Sequence, residues 1–238
     1  MKSFLVILEQ TARIYRRYFL IFIGIVAWIL FPGALRIFSS YLLPDPFSFI
    51  FSWIFLVLEI GMTIWISIIL LFLFFSINQK KSVRVSHLFS KALHLLPRFF
   101  HITIIKTIAT FGGFLLLIVP GFICSVWFAF AEITFLFEKK QGLQALTQSK
   151  ELVRGRFWPI TWRLLAGTLF LFFIYLIILG LLEILFIFML GLPEDGLSPI
   201  LEETLALFVD LFTLPLFSGF IFLLYEEVRQ TKSKGTNI

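Results

Sequence analysis

Six long apolar runs constrain this chain more than any other feature: residues 18–41, 47–77, 99–119, 122–137, 159–190 and 201–225. A helix crossing roughly 30 Å of hydrocarbon needs about 20 apolar residues, and six such runs predict an all-α polytopic membrane protein of six transmembrane helices. Composition agrees. Only 14% of the 238 residues are charged, 60% are apolar and 33 are Phe, with a mean hydropathy of +1.01. Soluble domains carry about a quarter charged residues, so a water-facing surface is excluded. With it go a soluble enzyme, a disordered tail and a nucleic-acid module, despite the pI near 9.6. The first run starts too far in and lasts too long for a secretory signal, and is read as a retained span. The lone Cys124 cannot form an intrachain disulfide.

The third and fourth runs are separated only by Pro120-Gly121. A Pro-Gly step ends one helix and permits a tight turn; one long kinked helix would exceed any bilayer, so a hairpin turning at Pro120 and Gly121 is expected. The connections at one end carry Asp45, Glu194, Asp195, Glu202 and Glu203, with no Lys or Arg. The other end collects Lys2, Arg13, Arg16, Arg17, Lys80, Lys81, Arg84, Lys91, Arg98, Lys139, Lys140, Lys150, Arg154, Arg156, Arg229, Lys232 and Lys234. The positive-inside rule then predicts a multi-pass protein of the cell (inner) membrane with both termini cytoplasmic.

Three segments look alike. Ahead of spans one, three and five, a basic helix-like stretch closes on Arg17-Tyr-Phe19, Arg98-Phe-Phe100 and Arg156-Phe-Trp158. The upstream residues have helical apolar spacing (Phe4, Ile7, Leu8, Ile14; Val85, Leu88, Phe89, Ala92, Leu96; Leu143, Leu146, Val153, Phe157). The predicted architecture is therefore one membrane domain, 1–238, of three helical hairpins. Each is preceded by an amphipathic interfacial helix, in pseudo-repeats of about 1–79, 80–140 and 141–230, with a short polar tail at 231–238. Arg17, Arg98, Arg154, Arg156 and Trp158 are the expected contacts to anionic lipid headgroups; a membrane-protein partner docking on this basic rim is the other partner the sequence admits.

Leu117-Ile-Val-Pro120-Gly121-Phe, then Phe130-Ala-Glu132 through Phe137-Glu138, then Gly142-Leu-Gln-Ala145-Leu-Thr-Gln-Ser149-Lys-Glu-Leu152-Val-Arg-Gly155-Arg-Phe-Trp158 resemble a known signature. It is that of the membrane domain of glycerophosphoryl diester phosphodiesterases and of the related YciC-like integral membrane proteins. The resemblance implies a six-helix bacterial membrane domain, some free-standing members of which are associated with envelope integrity. Phosphodiesterase activity in that family belongs to a separate soluble barrel, so no hydrolase activity carries over to these residues.

Intramembrane charges are the candidate functional residues, since each costs at least a few kcal/mol in hydrocarbon. Lys106 and Glu132 flank Pro120 at similar distances and are expected to pair or share a polar pocket. Arg36, Glu59 and Asp210 form a second set in the outer half, where Arg36 is expected to neutralise Glu59 or Asp210; Glu183 lies near that end. Either these charges pin helix packing, or they form a polar pathway for a proton, an ion or a headgroup. His87, His94 and His101 fall seven apart and climb about 10.5 Å per interval on a helix, so they cannot share one metal ion. Neither a metal nor a cofactor is expected. Ser149 beside Lys150 lacks an orienting third group and reads as a packing or capping residue. Gly112-Gly113 sits inside a span, where small residues allow close helix approach. The sequence thus predicts a non-enzymatic structural or envelope-maintenance protein, with a small transporter or channel as the alternative.

Overall fold

A computed structural model describes residues 3–80, 85–138, 140, 142–191 and 199–235. Lys2, Lys81, Arg84, Lys139, Glu194 and Asp195 lie outside them, as does the side chain of Lys234. Among the described residues the structure is helical, with α1 (Phe4–Arg17), α2 (Phe19–Val26), a 3₁₀ turn (Ala27–Ile29), α3 (Leu30–Leu42), α4 (Phe47–Asn78) and α5 (Val85–Leu116). These are followed by α6 (Ile118–Trp127), α7 (Ala131–Glu138), α8 (Leu143–Val153), α9 (Phe157–Leu190) and α10 (Pro199–Gly235). Among the described residues six spans are long and apolar enough to cross a membrane: Phe19–Leu42, Phe47–Asn78, Val85–Leu116, Ile118–Glu138, Phe157–Met189 and Pro199–Lys232.

The core is concentrated at the end of the bundle that carries the basic residues. There Ile66 and the run Ile68–Phe74 of α4 are buried, in one core with Phe22 of α2, Phe130, and Phe220 and Phe222–Tyr225 of α10. Rings interlock at Phe22–Phe74 (4.8 Å) and Phe75–Phe137 (4.4 Å). Gly219 makes this packing possible, because a Cβ there would collide with the Phe74 ring and come within 2.8 Å of Thr11 Cγ2. Helix α1 therefore does more than flank the bundle: Ile7, Leu8 and Thr11 are buried against it. Its exposed side carries Glu9, Arg13, Arg16 and Arg17. By contrast, only 6% of the most apolar window of α9 is buried.

Several boundaries differ from expectation. The segment expected as a separate second interfacial helix is continuous with its span, since α5 runs from Val85 to Leu116 through Pro97. The tight reversal between α5 and α6 falls at Leu117, whose backbone is extended (φ −170°, ψ 159°). Pro120 and Gly121 instead occupy the first turn of α6. That position suits proline, because the first N–H groups of a helix have no intrahelical partner. Gly121 is there for contact: a Cβ on it would approach Phe114 Cα to 2.7 Å, and one on Gly113 would approach Gly121 Cα to 3.0 Å. The segment expected as a tail from 231 continues α10 as far as Gly235.

Candidate functional site: an intramembrane ion pair at a broken helix

The fourth span is two helices. Between α6 and α7 the chain leaves helical geometry over Phe128–Phe130, which exposes a carbonyl and an N–H that an unbroken helix would pair. Ser149 of α8, fully buried, satisfies both: its Oγ donates to Trp127 O (2.6 Å) and accepts from Phe130 N (3.1 Å). Thr134 Oγ1 adds a bond to Ala145 O (3.1 Å), and Lys150 Nζ sits 4.1 Å above the Trp127 ring. Non-helical backbone at membrane depth is tolerated where protein groups satisfy it. Ser149 is thus a cap that holds the break open.

The break redirects the chain so that Glu132, in the first turn of α7, faces α5. Lys106 Nζ lies 3.2 Å from Glu132 Oε2, and Thr103 Oγ1 donates to Glu132 Oε1 at 3.1 Å. A carboxylate in the first turn also benefits from the helix dipole. Both side chains of the pair are about a quarter exposed, because two cavities reach them. One, about 220 Å³, lies between α4, α5, α7 and α10, with Thr63, Ser67, Thr103, Glu132 and Ser218 among its walls. The other, about 320 Å³, lies between α5, α6, α9 and α10, and is mostly apolar apart from Lys106, Ser125, Thr161 and Thr168. Lys106, Ala129 and Ile221 line both.

The second charged set is assembled differently from expectation. Arg36 Nε contacts Glu59 Oε2 and its Nη1 contacts Glu203 Oε2, each at 2.8 Å. Tyr41 OH donates to Glu203 Oε1 at 2.9 Å. Asp210 is not a partner of Arg36 among the described residues. It stands two helical turns, about 10.5 Å, beyond Glu203 on α10. Sequence analysis groups Glu203 with the acidic connection, at the edge of the 201–225 run; α10 begins at Pro199, so Glu203 is a helical residue, and its seven-residue spacing to Asp210 is the available signal that both share a face. Thr103, one turn from Lys106, carried a similar signal.

Of the residues expected at lipid headgroups, Arg17, Arg98, Arg154 and Trp158 are exposed. The Arg17 guanidinium lies 5.6 Å from the Tyr18 ring centroid. Arg156 is turned inward instead: its Nη2 donates to Thr231 O at 3.1 Å, tying the start of α9 to the last turns of α10. Nearby, Tyr225 OH donates to Glu138 Oε1 at 2.7 Å. His87, His94 and His101 are all exposed, and no group of metal-ligating residues gathers among the described residues.

Compared with known protein families, with curated proteins and with solved structures, the chain matches none.

Proposed function

We propose that this chain is a non-enzymatic protein of the bacterial inner membrane, with both termini in the cytoplasm and a structural or envelope-maintenance role. In this reading the basic end of the bundle faces anionic headgroups through Arg17, Arg98 and Arg154, with Trp158 at the interface. One observation carries it: Arg36 and Lys106, inside spans and away from the basic end, are each paired with carboxylates, whereas the exposed Arg17, Arg98 and Arg154 gather at that end. Paired internal charges pin helices together, and each free Lys or Arg near an anionic surface contributes about 1 kcal/mol. Three units of interfacial helix and helical hairpin fit the helix order, with the middle unit's basic stretch fused to its span. The resemblance to the YciC-like membrane domain points the same way.

The test is lipid selectivity. In vesicles containing spin-labelled lipids, anionic lipids should be enriched around the protein over zwitterionic ones. Enrichment should fall with salt and in a combined Arg17→Gln, Arg98→Gln, Arg154→Gln variant. Charge-blind, salt-insensitive association would sink the proposal.

A transport reading is favoured by the cavities at Lys106 and by the stripe Glu59, Thr63, Ser67 along α4. Against a proton relay, Thr63 and Ser67 donate their hydroxyl hydrogens to carbonyls of their own helix. Proton or ion flux in reconstituted vesicles that disappears in both Glu132→Gln and Lys106→Met would decide for transport.

A further inference from the structure

The two cavities that meet at Lys106 differ in character, and together they have the outline of an amphiphile. The smaller, about 220 Å³, holds both members of the ion pair and the hydroxyl residues Thr63, Ser67, Thr103 and Ser218, set among apolar walls. The larger, about 320 Å³, is walled by Phe122, Leu164, Leu165 and Ile221, with few polar atoms. Two of those few, Ser125 and Thr161, are committed to helix carbonyls at Phe122 O and Phe157 O. The larger volume falls at the low end of the range for small-molecule sites. It also lies within spans, where the surrounding solvent is hydrocarbon, so an apolar chain can enter it without crossing water.

The head chemistry follows from the ion pair. Glu132 already accepts from Lys106 on Oε2 and from Thr103 on Oε1, but a carboxylate has about four lone-pair sites. Lys106 has three N–H donors, one of them directed at Glu132. The pair is neutral overall, so an added anion would leave uncompensated charge at this depth, which is costly. A head that is itself neutral and carries both a donor and an acceptor fits instead. Depth selects further: Lys106 lies eight residues past Arg98 along α5, about 12 Å of helix rise. A bulky phosphodiester head belongs at the level of Arg98, whereas a carboxyl group is small enough to sit deeper.

We infer that the paired cavities between α4, α5, α6, α7, α9 and α10 bind a long-chain carboxylic acid in its protonated form, with its head on the Lys106–Glu132 pair. The carboxyl C=O accepts from Lys106 Nζ–H, its O–H donates to Glu132, and the chain fills the cleft toward Thr168. This site is separate from the basic rim and stands or falls independently of the headgroup reading.

The test is displacement of a fluorescent fatty acid from the full-length protein in nanodiscs, with empty nanodiscs subtracted for partitioning. Palmitic acid and palmitamide, whose heads each carry donor and acceptor, should compete saturably at one site per chain. Methyl palmitate, which lacks the donor, should compete about tenfold less well. Thr168→Trp, which fills the cleft, should abolish competition by all three. The double variant Lys106→Met, Glu132→Leu replaces the pair with apolar side chains and so keeps the bundle folded; with neither donor nor acceptor left at the two positions, it should lose the preference for acid over ester. Equal competition by acid and ester in the unaltered protein would overturn the proposal. So would a preference that survives in the double variant, non-saturable uptake, or stronger competition by a diacyl phospholipid.

Discussion

A polar atom inside this bundle either finds a partner across helices or lowers stability, and single residues show both cases. Glu132 has Lys106 and Thr103 on its two oxygens. Lys106→Met leaves that carboxylate with one neutral donor in a largely apolar setting. Breaking a buried pair from one side costs about 3–5 kcal/mol, whereas removing both charges is often nearly neutral. Thermal unfolding in detergent should therefore show Lys106→Met well below the unaltered protein, with the double variant Lys106→Met, Glu132→Gln recovering most of the loss. Equal melting of single and double variants would mean that the contact contributes nothing. Tyr15 is the converse case. Its hydroxyl is buried without a hydrogen-bond partner among the described residues, and burial pushes its pKa up to about 12. Tyr15→Phe deletes an unsatisfied group and keeps the ring contacts with Phe19 and Phe22. It should raise stability by about 1 kcal/mol, and a lower melting temperature would show that the hydroxyl has a partner after all.

At the scale of elements, the breaks matter more than the helices. Ser149→Ala removes the group that caps both Trp127 O and Phe130 N, stranding two backbone polar atoms at a cost of about 1–3 kcal/mol. Because Glu132 follows the break by two residues, the same substitution should also loosen its hold on Lys106. A double-mutant cycle reports that loosening: Lys106→Met should lower the melting temperature less in the Ser149→Ala background than in the unaltered protein. An equal loss in both backgrounds would confine Ser149 to packing. These breaks also mark where sequence reading stopped. The spans were legible because hydrocarbon thickness imposes run length, and pairing of Lys106 with Glu132 was expected because neither could stay alone there. The turn was expected at Pro120-Gly121, whereas the reversal is at Leu117, since proline fits the first turn of a helix and Gly121 answers the approach of Phe114. The interruption at Phe128–Phe130 had no local signal: no proline or glycine marks it, and what holds it open is Ser149, nineteen residues away from Phe130. Glu203 was likewise hidden, because whether it joins Arg36 depends on where α10 begins.

For the whole molecule, the ordering principle is the asymmetry between its two ends. One end is dense, with Tyr225, Phe222, Phe130 and Phe74 fully buried and Arg156 and Lys232 bonded to backbone carbonyls of α10 and α8. The other is looser: Phe47, Phe49, Trp53 and Ile54 on α4 and Phe188 and Met189 on α9 are exposed. If the positive-inside rule governs insertion, the dense basic end stays on the side of synthesis, and the looser end meets lipid and the far interface. Asp45 and Lys80 flank α4 at opposite ends, across a 32-residue helix that rises about 48 Å, more than the hydrocarbon thickness. In a Cys124→Ser background, Asp45→Cys should react with a membrane-impermeant thiol reagent added to intact spheroplasts. Lys80→Cys should react only after the membrane is opened. Labelling of both positions from one side would place α4 along the surface, and with it would go the shared depth of Lys106 and Glu132 and the lipid-facing entrance of the cleft beside them.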